Sequence, residues 1–120
     1  MDKQQFQKRT KQLAIRTIKM SNTLPKTMAA DVIGRQIIRS SSSVGSNYRA
    51  ACRAKSTADM INKLKIVEEE ADETLFWLEV LVEADIMPES RLKDLLQETD
   101  EILAMTVASL KTLRQRSNKS

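Results

Sequence analysis

Midway along the chain, Ile37 to Ala54 read IIRSSSSVGSNYRAACRA, with four consecutive serines and a glycine at the centre. As a flexible joint this tract divides the chain into two domains; as the inside of a helix it requires one compact body. Register separates the two. Steps of four and three residues trace Ile33, Ile37, Ser40, Val44, Asn47 and Ala51, and beside them Gly34, Ile38, Ser41, Gly45, Tyr48 and Cys52, without a break across the serines. The opposite side runs Arg35, Arg39, Ser42, Ser46, Arg49 and Arg53, all polar and carrying four cations. A linker has no reason to keep a helical period. The serines and Gly45 are therefore read as small residues where backbones approach closely, each hydroxyl bonding a carbonyl one turn back. The poor helix propensity of glycine, about 1 kcal/mol below alanine, is offset by packing.

Strong breakers divide the rest. Pro25 after SNTL ends a first helix of roughly Lys3 to Asn22, since the residue before proline is biased away from the α region. A second begins just after it and holds the serines. Ser56, with Asp59 three positions on, is an acidic variant of the capping box and opens a third. Pro88, at a position where a first helical residue tolerates proline, and then Glu89 open a fourth. Apolar spacing agrees with these boundaries. The third segment steps through Met60, Leu64, Val67, Ala71, Leu75, Leu78 and Val82, and the fourth through Leu92, Leu96, Thr99, Leu103, Thr106, Leu110 and Leu113. The first is sparser, with Phe6, Leu13, Thr17, Met20 and Leu24, and Ala14 and Ile18 beside them. Short connections between helices of about 20 to 28 residues imply antiparallel neighbours. The fold expected for residues 1–120 is a single all-α domain, an antiparallel up-down-up-down four-helix bundle.

Charge is segregated along this path. Residues 1–55 carry twelve Lys/Arg against two acids, residues 56–109 four against fourteen, and the last eleven four cations and no acid. Up-down-up-down topology brings the start of the first helix and the ends of the second and fourth to one pole. Lys3, Lys8, Arg9, Lys11, Arg49, Arg53, Lys55, Arg114, Arg116 and Lys119 gather there. The candidate nucleic-acid contacts are Lys8, Arg9, Lys11, Arg49, Arg53, Lys55, Arg114 and Arg116, with Arg49, Arg53, Lys55, Arg114 and Arg116 preferred, a set suited to phosphates and poor in base readout. Against this stands a simpler use of the same charges, in which cations complement helix C-termini or pair with the acidic third helix of a neighbour.

Catalytic chemistry finds little footing. Without histidine, the Glu-x-x-His pairs of a di-iron bundle are missing, and Glu69, Glu70 and Glu73 are read as a solvated or salt-bridged face. Cys52 lacks a visible activating base and is read as a small buried thiol. No glycine-rich phosphate loop occurs, and no cofactor is expected. Asn47, on the apolar stripe, is either a buried amide satisfied by nearby backbone or a device that fixes helix register or subunit pairing. Trp77 and Phe76 are read as core or subunit-interface packing rather than a base-stacking platform. The lone cysteine, the polar opening MDKQQFQKRTKQ and the short apolar runs point to a soluble cytoplasmic protein with no membrane span.

The run RQIIRSSSSVGSNYRAACRAKS, with KLKIVEEEADETLFWLEVL and LKDLLQETDEILAMTVASLKTLR, resembles the four-helix bundle family encoded by intervening sequences in bacterial 23S ribosomal RNA genes. The sharpest parts are SVGSN at Ser43 to Asn47 and EADETLFWLE at Glu70 to Glu79. The first helix departs from the aromatic-rich entry common in that family, having Phe6 and no nearby tryptophan. The resemblance implies a homopentamer around a central channel. It also touches a divergent branch, the accessory protein of diversity-generating retroelements, which binds reverse transcriptase and nucleic acid. Two functions are thus expected to compete: a non-enzymatic homo-oligomer that binds RNA or a nucleic-acid enzyme through its basic pole, and a purely structural or protein-binding assembly. A small toxin-like or mobile-element factor is a third.

Overall fold

A computed structural model describes residues 2–119, and of Lys119 the backbone alone. It contains four helices, α1 (Lys3–Ser21), α2 (Met28–Cys52), α3 (Thr57–Glu83) and α4 (Glu89–Lys119), in a rod of 53 × 22 × 20 Å. Successive helices pack side by side, and α1 and α4 meet along the sparsest border, which closes the antiparallel bundle. The serine tract lies wholly inside α2. No helix among the described residues is long and apolar enough to cross a membrane.

Side-chain caps set the boundaries. The Asp2 carboxylate accepts from the Gln4 amide at 2.9 Å and the Thr27 hydroxyl from the Ala30 amide at 3.2 Å. At the start of α3 the Ser56 hydroxyl accepts from the Asp59 amide at 3.1 Å, while the Asp59 carboxylate reaches back to the Lys55 amide at 3.2 Å. That is the expected reciprocal cap, shifted by one residue on its return leg. Pro88 stands just before α4, whose first helical residue is Glu89. The end of α3 needs no proline. Asp85 adopts a left-handed φ of 58°, and the amides of Asp85 and Ile86 bond the carbonyls of Val82 and Leu81 at 3.0 and 2.9 Å. This Schellman pattern satisfies two carbonyls and folds Ile86 back onto the core.

Buried stripes follow the expected period with local corrections. In α3 the wholly buried positions include Thr74 and Leu81, while Leu75 and Val82 are half-buried; in α4 they include Leu95 and Ile102 rather than Leu96 and Leu103. Thr10 joins the α1 stripe, whereas Ile18 is exposed. At Thr74 and Thr10 the difference has a cause: threonine supplies a methyl to the core while its hydroxyl bonds its own helix. Thr10, Thr99 and Thr106 donate to the carbonyls of Phe6, Leu95 and Ile102 at 3.0, 2.7 and 2.8 Å.

Two hydroxyl pairs cross the middle of the bundle. Ser41 and Thr17 share a hydrogen bond of 2.6 Å between α2 and α1, and Ser40 and Thr74 one of 2.7 Å between α2 and α3. A hydroxyl carries one proton. The hydroxyls of Thr17 and Thr74 lie 2.9 and 2.8 Å from the carbonyls of Ala14 and Glu70, nearer than those of Ser40 and Ser41 lie to the carbonyls of Ile37 and Ile38 at 3.3 and 3.4 Å, an order that favours the serines as donors in both pairs. Consecutive serines of α2 thereby bond opposite neighbours, and their small size lets both come close. Closest of all is Gly45, where a β-carbon would lie 3.1 Å from the backbone oxygen of Thr10.

Candidate nucleic-acid interface

The predicted pole exists, since the start of α1 and the ends of α2 and α4 share one end of the rod. Two contacts set the level of α1 against α2: the rings of Phe6 and Tyr48 meet edge to face at 4.6 Å between centroids, and Gly45 lies against Thr10 and Lys11. This level brings Lys8 and Lys11 on α1 and Arg49 on α2 together around a groove of about 530 Å³. Its floor is made of Ala14, Ser42, Gly45 and Ser46, the residues small enough for the two backbones to approach. Gln4 and Gln7 complete the wall near Arg49.

The remaining cations sit at the tip. Arg53 and Lys55 flank the turn between α2 and α3 and are exposed. Beyond Leu110, the last buried residue of α4, Leu113 is half-buried and residues 114–118 are exposed, so Arg114 and Arg116 ride on a helix that overhangs the bundle. Arg116 and Lys3 rim a second hollow of about 470 Å³ floored by Met60, Leu64, Met105 and Leu113. The side chain of Lys119 lies outside the described residues.

Arg9 is placed differently from its neighbours. It reaches across to α4, where its Nε and Nη2 take both oxygens of Glu98 at 3.0 and 2.6 Å, and Nη2 also meets Glu101 at 3.1 Å. The hydrogen bond to Glu98 is the main reason its pKa is raised. Arg9 therefore ties α1 to α4 and does not stand free beside Lys8 and Lys11. Arg39 repeats this arrangement between α2 and α3, gripping Glu70 at 3.0 Å and also Glu73. Glu70 and Glu73 thus form the salt-bridged face expected of EEEADE. Lys8, Lys11, Arg49, Arg53, Lys55, Arg114 and Arg116 have no carboxylate partner among the described residues.

The other candidate residues fall on structural tasks. Asn47 is half-buried, and its amide donates to the Ser43 carbonyl at 3.0 Å and hydroxyl at 2.8 Å within its own helix, which is the satisfied-amide role. Cys52 is half-buried one turn from Tyr48. Burial, with help from the Cys52 hydrogen bond, raises the Tyr48 phenol well above its ordinary value. Trp77 packs partly on the core and donates to Glu73 at 3.3 Å, with the Phe76 ring edge-on to it at 5.0 Å. Phe76 is not core: it is 53% exposed. Gln4, Gln7, Ser42 and Ser46 are the groove residues that charge counting missed. Their signal is the repeat of a neutral hydrogen-bonding residue and a cation one or two turns apart, Gln4 with Lys8 and Lys11 on α1 and Ser42 and Ser46 with Arg49 on α2.

The sequence profile described as 23S rRNA-intervening sequence protein matches residues 2–108. Among solved structures, the 1.70 Å crystal structure of a protein with unknown function from the S23 ribosomal protein family of Bacteroides thetaiotaomicron VPI-5482 is similar, with a TM-score of 0.85 and 31% identity. The match covers 92% of this chain and 99% of that one. No curated protein matches the chain.

Proposed function

The chain belongs to the 23S rRNA-intervening sequence protein family, and on that premise we propose that it is a non-enzymatic, self-associating bundle that holds nucleic-acid phosphates at its basic end. One observation carries the reading: seven exposed cations without carboxylate partners among the described residues are gathered at one end, three of them around a single groove. Self-association draws support from exposed apolar side chains, among them Met28 and Val32 on α2 and Phe76 on α3. Five copies is the number the resemblance implies, and a mass measurement in solution tests it.

Binding through such cations releases counterions, so affinity falls steeply with salt. Titration of labelled RNA at low and moderate salt should show a drop of about tenfold to a thousandfold over a fourfold rise in salt. No binding at low salt would remove the proposal. The alternative, a purely structural or protein-binding assembly without a nucleic-acid role, is favoured by the exposure of Phe76, and the same titration decides between them.

A further inference from the structure

We infer that the α1–α2 groove reads ribose, so that it binds RNA in preference to DNA of the same sequence; this rests on the nucleic-acid reading above and assigns the ligand of that site. The argument starts from level. With Phe6 opposite Tyr48 and Thr10 opposite Gly45, the antiparallel helices place Arg49 across from Gln4 and Gln7, and Lys11 across from Ser46. Arg49 and Lys11 therefore each face a neutral group able to both donate and accept a hydrogen bond. The side chains of Gln4 and Gln7 have no hydrogen-bond partner among the described residues, and the only bond from the Ser46 hydroxyl is a long one of 3.4 Å to the Ser43 carbonyl.

A phosphodiester strand seated on the cations brings its sugar edge to these groups. The ribose 2′-hydroxyl is itself donor and acceptor, and it is the atom by which a protein tells RNA from DNA. A primary amide satisfies both of its roles. Deoxyribose offers nothing there. No carboxylate lines the groove to repel phosphate, and no aromatic side chain lines it to stack a base. The stacking that supports sequence-tolerant binding to single strands in other folds is thus missing, and discrimination must come from the backbone.

The test uses fluorescence anisotropy of the full chain with matched single strands of RNA, DNA and 2′-O-methyl RNA at one salt concentration. RNA should bind about five- to tenfold more tightly than the other two, the range expected for one or two solvent-accessible hydrogen bonds. The paired change Gln4→Ala with Gln7→Ala should bring RNA down to the DNA affinity and leave DNA unmoved, with an unaltered thermal midpoint showing that the fold is intact. Lys8→Gln with Lys11→Gln should weaken both. Equal wild-type binding of RNA and DNA, or an RNA preference that survives loss of both glutamines, overturns the ribose inference while leaving phosphate binding in place. Failure of every strand to bind overturns both.

Discussion

Along its border with α2, helix α1 lies so close that the missing β-carbon of Gly45 leaves room for the Thr10 carbonyl; along its border with α4, the prominent tie is the long arm of Arg9 reaching Glu98 and Glu101. The first border is made by absence of volume and completed by the Ser41–Thr17 hydroxyl pair. The second is spanned by charge across a looser gap. Close backbone contact tolerates no added atoms but is indifferent to salt, whereas an ion pair accepts crowding and weakens as salt screens it. One helix is thus held rigidly on one side and adjustably on the other. The groove proposed to take RNA opens on the rigid side, where the distance between its walls is fixed.

The contrast can be attacked in order of expected effect. Gly45→Val inserts three carbons against the Thr10 backbone and should lower stability by about 1–3 kcal/mol even after the gain in helix propensity. Urea unfolding would show this as a lower midpoint at unchanged slope; a midpoint like the wild type would show that the approach is not tight.

Tyr48 tests the same border through pH. Its folded pKa lies above the unfolded value of about 10, so its contribution is fully present below that pH and is lost as pH rises beyond it, by up to about 1.4 kcal/mol per unit. Tyr48→Phe should flatten the alkaline fall, and an unchanged fall would exclude Tyr48 as its source.

Thr17→Val removes the hydroxyl partner of Ser41 in the core and should cost about 1 kcal/mol, part of it recovered when Ser41→Ala is added, because Ser41 would otherwise keep only its long 3.4 Å contact to the Ile38 carbonyl. On the other border, Arg9→Gln should cost about 0.5–1 kcal/mol at low salt and less at high salt. The two sides of that ion pair are partly shielded, at 32% exposure for Arg9 and 19% for Glu98. Arg39→Gln, where the guanidinium is 49% exposed and hydroxyls already join α2 to α3, should cost under about 0.5 kcal/mol. Equal losses from the two arginine changes would erase the distinction between a border that depends on its ion pair and one that does not.

Much of this architecture is legible in the sequence. The unbroken stripe through Ser40, Ser41 and Gly45 located α2, Ser56 and Pro25 marked two boundaries, and antiparallel order brought the cations to one pole. Periodicity did not separate residues of similar polarity. It takes Leu75 over Thr74, because a threonine that bonds its own helix packs as an apolar side chain and that bond is invisible in a hydrophobic count, and it takes Val82 over Leu81, two neighbours of like polarity. Charge counting placed Arg9 with Lys8 and Lys11. Only the facing positions of Glu98 and Glu101 reveal that its guanidinium crosses to α4 while the neighbouring lysines stay exposed. Gln4 and Gln7 escaped notice because a neutral amide adds nothing to a net charge, and their pairing with Arg49 depends on interhelical level.

The hydroxyl pair joining Ser40 to Thr74 also divides the molecule's own optical reporters. Tyr48 stands eight residues along α2 toward the basic end and Trp77 three residues along α3 toward the other, and they are the chain's only tyrosine and tryptophan. Separated by roughly 16 Å along the axis at 1.5 Å per residue, the two fluorophores sample different halves of the rod, so melting that begins at one end would register in one emission before the other.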